Sequence, residues 1–359
     1  MTASSSPSGR AGKVVVRGII VMGATLVIAS LSWTNTGDVD IGYRHGEQWT
    51  GDREQGTGYA AEVEWGRHFR DLFRHDQWGV GVVEAPISAF LDAAFEPSVR
   101  WLTSLRRRGF YADPFGVVGD EGLEIFCEAW DARRGRGHLV KLGKDGEAEP
   151  LLGFPAEVHL SYPFLVEEEG ELYCVPESCE AGEVCLYQRQ GRQWVYAATL
   201  LPGFAGVDAT LFRHLDRWWM ACTCRSADPN AELFLFHAQR LRGPWMAHRQ
   251  NPVKRDVRSS RPAGTPFMYE SQLYRPAQDC SETYGGAVVI NHILRLTPHE
   301  FVEREVARWT PPREWRLRRG WHTLSSVGNI TLVDGKRVTF LPGEFRREAA
   351  RKLRRVLGR

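Results

Sequence analysis

Residues 111–130 read YADPFGVVGDEGLEIFCEAW. β-Branched and aromatic residues flank the turn Gly119-Asp120-Glu121-Gly122, a pattern that predicts a β-hairpin. Asp113 stands at the mouth of its first strand and Glu128 near the end of its second. The hairpin recurs: SYPFLVEEEGELYCVPES (161–178) puts Tyr162 where Asp113 stood. VDATLFRHLDRWWMACTC (207–224), RPAGTPFMYESQLYRPAQDC (261–280) and WHTLSSVGNITLVDGKRVTF (321–340) follow. The opening residues Asp113, Tyr162, Asp208, Arg261 and His322 are 49, 46, 53 and 61 residues apart. Such a period holds one four-stranded blade, and strand-like runs for the outer strands lie between the hairpins. The fold class expected is therefore all-β, a five-bladed β-propeller.

The fifth repeat ends near Leu341, while an orphan strand, WGVGVVEAPI (78–87), precedes the first. Pairing that strand into the last blade would close the ring and remove an exposed edge. Between it and blade 1, residues 88–110 could place Phe90, Leu91, Ala94, Trp101, Leu102 and Leu105 on one helical face broken at Pro97, giving a short helical cap. The expected organisation is an N-terminal segment 1–77, a propeller 78–342 and a basic amphipathic helix 343–359.

Composition fits this plan. Of 359 residues, 43% are hydrophobic and 25% charged, with 36 Gly, 19 Pro and 13 Trp, usage suited to many short strands and turns. The net charge is +2, but residues 344–359 carry seven Lys/Arg against two Glu, so the tail is +5 and the remainder −3. The tail could rest on an anionic membrane surface. Nucleic acid is not expected as a partner, because the body of the chain carries no net positive charge and the basic tail is short.

Seven cysteines, an odd number without the density of a disulfide scaffold, favour a reducing, cytoplasmic setting. Their spacings match no zinc finger or ribbon. The uncharged run GIIVMGATLVIASLSW (18–33), preceded by Arg10, Lys13 and Arg17, leaves a signal peptide, a short anchor and a buried start open.

First strands of propeller blades line the central channel. Asp113, Asp208, Arg261 and His322 are therefore expected around one funnel, with Glu128, Glu177 and Arg275 contributed by neighbouring second strands. His159, Tyr162, Gln278, Asp279 and Trp321 complete the candidate binding set, Trp321 as a stacking surface. Burying carboxylates with arginines is costly unless they are paired, so the set points to function more than any single member does. The forks of Arg261 and Arg275 suit a carboxylate or phosphate, making a sugar phosphate or acidic glycan the expected ligand.

The motifs ADPFGV…IFCEAW, HLSYPFL…LYCVPES, VDATLF…RWWM, RPAGTPF…LYRPAQDC and WHTLSS together resemble the N-terminal propeller family of the plant glucosamine inositolphosphorylceramide transferases. The resemblance covers roughly residues 78–342 and implies work on a cell-surface glycan or glycolipid. The glycosyltransferase domain of those proteins is not expected after Leu341, so a glycosyltransferase is an expected partner. More distantly, the plan is similar to five-bladed furanosidases and fructosidases. That likeness implies Asp113 as base or nucleophile, Asp208 as modulator and a Glu as acid. Blade 4 opens with Arg261-Pro262 where the acid is expected, leaving Glu177 or Glu128 to replace it. The same likeness associates His322 with a central calcium. Three readings stay open: a carbohydrate-active propeller binding an acidic sugar, a glycosidase using Asp113, Asp208 and Glu177, and a scaffold for a glycosyltransferase.

Overall fold

The computed structural model describes residues 14–22, 25–33, 39–45, 74–103, 109–119, 122–143 and 146–340. Two compact units divide the chain, residues 1–69 and 70–359. In the first, Val14–Met22, Thr25–Trp33 and Val39–His45 form an antiparallel three-stranded meander. Of the apolar run 18–33, residues 18–22 and 25–33 thus fall on two paired strands, with Ile19 opposite Ile28. No helix among the described residues is long and apolar enough to cross a membrane.

The second unit is a five-bladed β-propeller. Blade 1 comprises Gly109–Gly119, Gly122–Asp131, Arg136–Leu142 and Ala148–Pro150. Blade 2 comprises Ser161–Glu168, Glu171–Glu177, Val184–Gln190 and Gln193–Leu201. Blade 3 comprises Gly206–His214, Arg217–Cys224, Glu232–Ala238 and Met246–Ala247, with Lys254–Arg255 also pairing its third strand. Blade 4 comprises Phe267–Tyr269, Gln272–Asp279, Ala287–Thr297 and Glu300–Trp309.

Blade 5 closes the ring with the orphan strand. Leu324–Val327 and Ile330–Phe340 are followed by Arg74–Val83 and Val99–Trp101 from the other end of the chain. The register sets Leu332 opposite Val82 and Val333 opposite Gly81. Val80, Val82 and Leu332 then bury their side chains with Tyr111, Ile125 and Cys127 of blade 1. Pairing of Arg74–Val83 with Ile330–Phe340 covers the open edge, and apolar contact joins blade 5 to blade 1.

Of the helical cap expected over 88–110, the described residues hold one 3-10 helix, Ile87–Leu91, then a turn at 92–95 and the strand Val99–Trp101; Leu105 lies outside them. Phe90 still becomes a buried anchor, edge-on to Trp309 and Trp321. An α-helix would forgo the strand that Gly81, Val82 and Val83 pair with. The expected helix 343–359 lies outside the described residues. All seven cysteines are free thiols, six of them buried.

Candidate functional site

The repeat position noticed in the sequence has a backbone signature. Asp113, Tyr162 and Asp208 take positive φ angles of 53°, 44° and 52°. Each sits in a bulge where the first strand slips against the second, between Ala112 and Phe115, Ser161 and Phe164, and Val207 and Thr210. A bulge redirects the side chain and frees the backbone N–H. Here the freed groups link the blades: Asp113 N–H donates to Asp334 of blade 5 at 3.2 Å, and Tyr162 N–H donates to Asp113 at 3.3 Å. These non-glycine residues in a left-handed conformation are strained, and the interblade bonds hold them there.

A cavity of about 230 Å³ opens at this end of the propeller, lined by acids, bases and aromatic rings. Asp113, Glu128 and Glu177 supply carboxyl groups to its wall, Arg261, His159 and His322 supply the basic groups, and Ser161 a hydroxyl. The sequence-derived set therefore converges in part.

Asp208 lies behind the wall, where Arg261 Nε donates to it at 2.7 Å and Gln278 Nε2 at 2.9 Å. Arg261 also reaches Asn230 at 3.2 Å and lies 5.0 Å from the Tyr284 ring centroid. Burial disfavours the Arg261 cation, but Asp208, Tyr284 and Glu177 outweigh that and raise its pKa.

Protonation divides the carboxyls. Burial pushes Asp113 up to about 6, against the opposing pull of His322. Burial, reinforced by Asp208, pushes Glu177 up to about 8, and Cys179 donates to it at 3.1 Å. Burial, then Asp113 and Glu177, push Glu128 well above the usual carboxylate range. Its Oε1 has no hydrogen-bond partner among the described residues. Gly137 makes this packing possible, because a Cβ there would stand 2.1 Å from Glu128 Oε1. His159 accepts from Gly137 N–H through Nδ1 at 2.8 Å, which leaves Nε2 as the protonated nitrogen facing Glu128 at 3.7 Å. Burial lowers the His159 pKa.

Five expectations are corrected. Arg275 is turned away from the cavity, since it alternates along its strand with Pro276 and Gln278. Its guanidinium binds Glu303 at 3.0 and 2.6 Å and the carbonyls of Ser259 and Ser260. Trp321 is fully buried beside Phe90 and Trp315, its indole N–H on the Thr323 carbonyl, so it is core. Tyr162 turns its ring inward, where its hydroxyl meets Thr210 at 2.8 Å and accepts from Gly264 N–H at 2.7 Å. Asp279 is held by Ser281 and Arg308 away from the lining. Gln278 positions Asp208 and does not line the cavity.

The aromatic wall was missed. Trp78 comes from the closing strand and stacks on His322, with centroids 3.8 Å apart and planes 11° off parallel. Phe110 and Trp130 stack on one another at 5.4 Å, and Tyr284 completes the lining. Phe110 and Trp130 are register partners in the hairpin, so their pairing was legible once that register was drawn. Asp334 was missed too. It is wholly buried, lies 2.6 Å from His322 Nδ1, and accepts from the backbone of His322 and Thr323 at 3.0 and 3.1 Å.

Donor atoms of Asp113, His322 and Asp334 lie within 4.8 Å of one another, the place the calcium expectation indicates. The chemistry does not fit. Calcium takes six to eight oxygen ligands, whereas this set offers an imidazole whose Nδ1 is already bonded to Asp334.

Fold and cavity together define a five-bladed β-propeller with a cavity walled by carboxyl groups, bases and aromatic rings. Residues 103–328 match the family described as glucosamine inositolphosphorylceramide transferase 1, N-terminal, and the chain belongs to that family. Glucosamine inositolphosphorylceramide transferase 1 of Oryza sativa subsp. japonica is 32% identical over 249 residues, covering 64% of this chain and 33% of the relative. The Arabidopsis thaliana protein of the same name is 32% identical over 250 residues, covering 64% and 32%. The chain thus spans about a third of the length of these relatives. Among solved structures, an exo-β-1,3-galactanase from Clostridium thermocellum aligns with TM-score 0.43 at 10% identity, covering 79% of this chain and 60% of that one. An α-L-arabinofuranosidase from the same organism aligns with TM-score 0.43 at 8% identity, covering 82% and 95%.

Proposed function

We propose that the cavity binds one sugar residue of a cell-surface glycan or glycolipid and acts on its glycosidic bond, with Asp113 as base, Glu177 as acid and Asp208 tuning the pair. One observation carries this reading: two carboxyls lining one sugar-sized cavity are driven to different proton affinities, Asp113 to about 6 and Glu177 to about 8. At neutral pH the first is mostly ionised and the second mostly protonated, the division of labour that glycosidic cleavage requires. Asp208, held by Arg261, lies beside Glu177 and raises that group's affinity for its proton.

Hydrogen bonding argues for a neutral or amine-bearing sugar over the acidic one expected from sequence. The arginine of the lining is already bound to Asp208, whereas Asp113, Glu128 and Glu177 all face the cavity. A hydroxyl or amine donor would satisfy the unpartnered Glu128 oxygen; a phosphate would meet the Asp113 carboxylate and find the Arg261 fork already taken. The relatives are named for glucosamine, an amino sugar. A partner glycosyltransferase, and an anionic membrane contacted through residues 343–359, belong to this reading as proposals.

The test is turnover of a panel of chromogenic glycosides, amino and acetamido sugars included, by the wild type, Asp113→Asn and Glu177→Gln. Each variant should lose about 10²–10⁴-fold in rate. Binding without turnover in the wild type would contradict catalysis and support a binding module, and absence of both would overturn the reading.

A further inference from the structure

We infer that His322 is the counter-ion that sets the charge of Asp113, with Asp334 fixing its tautomer and Trp78 covering its ring. The inference deepens the site described above and rests on Asp113 being its working carboxylate. Four observations converge on the imidazole. His322 is buried, and its Nδ1 donates to Asp334 at 2.6 Å, which directs Nε2 toward Asp113 Oδ1 at 3.7 Å. Asp334 cannot turn away, because backbone N–H groups of His322, Thr323 and Asp113 all donate to it. Trp78 lies parallel to the ring at 3.8 Å and Tyr284 meets it edge-on at 5.4 Å, so aromatic rings cover one face of the imidazole and flank it. An aromatic face also favours the cationic ring.

The groups facing His322 are Asp113 and Asp334 at close range, Tyr284 at its edge, and Asp208 with Arg261 around the cavity; Lys336 lies 5.2 Å from the Trp78 ring centroid. Two nearby carboxylates around one imidazole hold it protonated more firmly than burial discharges it, so its pKa is raised. The imidazolium in turn opposes the burial that would otherwise neutralise Asp113. His322 is thus a positioning residue that acts through Asp113.

Carboxyl and imidazole NMR titrations of the full chain, without any sugar, test this. Asp113, assigned with Asp113→Asn, should titrate near 6 in the wild type, and His322→Gln should move that midpoint up by about 1 unit or more. Asp334→Asn should lower the titration of the His322 ring. If His322→Gln does not fold, Trp78→Leu gives the second reading, with the His322 midpoint falling and that of Asp113 rising. An unchanged or lowered Asp113 midpoint in a folded His322→Gln or Trp78→Leu variant would overturn the inference, as would calcium-induced shifts of the His322 ring. Because no substrate is present, failure of glycoside turnover leaves these midpoints where they are, and the two accounts fail separately.

Discussion

Arg261 Nε donates to the Asp208 carboxylate at 2.7 Å, joining the opening stretches of two neighbouring blades behind the cavity wall. The pair is nearly closed to solvent, with side-chain exposures of 11% and 4%. Removing one partner strands the other in a desolvated setting.

Arg261→Met should therefore lower stability by about 3–5 kcal/mol. The double variant Arg261→Met/Asp208→Asn should lose less than the sum of the singles, because the stranded charge is removed. A urea-denaturation cycle measures this, and additive losses would contradict a coupled pair.

Glu177 gives a pH dependence of defined sign. Its proton is held up to about pH 8 in the folded state, against an ordinary value of 4.5. Between those limits the folded state binds more protons than the unfolded chain, so the stabilisation present below 4.5 is lost as pH rises through about 8. One such group contributes a slope of at most about 1.4 kcal/mol per pH unit. Guanidinium unfolding at a series of pH values should show stability falling across this window, and Glu177→Gln should flatten the fall. A slope unaltered by the substitution would show that Glu177 titrates normally.

Gly285 packs its backbone on the Trp78–His322 stack. Its φ is +57°, and a Cβ would stand 2.7 Å from His322 Cβ and 2.9 Å from the Trp78 ring. Gly285→Ala should cost about 1–3 kcal/mol and reduce the near-ultraviolet circular dichroism of the stack. A variant with wild-type melting and spectrum would mean that the loop approaches less closely.

Ring closure depends on Leu332 meeting Val82 across the chain ends. Leu332→Ala should destabilise by about 2–5 kcal/mol, and a cycle with Val82→Ala should show coupling. Independent effects would indicate that the closing strand pairs in another register.

The propeller was legible because one device, a hairpin opened by a bulge, recurs at Asp113, Tyr162 and Asp208. Alternation along strands explains the errors. Arg275 and Gln278 are three residues apart on one strand, so both could not face the cavity, and spacing between hairpins carries no such parity. Trp321 neighbours His322 in sequence but points the other way, while Trp78, some 240 residues distant, supplies the stacked ring. Asp334 sits in the run Leu332-Val333-Asp334-Gly335, whose Asp-Gly suggests a turn, yet it lies within the strand Ile330–Phe340. Its burial is sustained by backbone donors from two blades, a tertiary circumstance that a local pattern does not record.

The proposed function places a neutral or amine-bearing sugar in the cavity lined by Asp113, Glu128 and Glu177. Its most direct test is a crystal structure of Glu177→Gln grown with glucosamine and, separately, with glucose 6-phosphate. The account predicts glucosamine in the cavity, within hydrogen-bond distance of Glu128 and Asp113, and no sugar phosphate there. Sugar phosphate bound in the cavity through Arg261, or glucosamine found only elsewhere on the propeller, would contradict it.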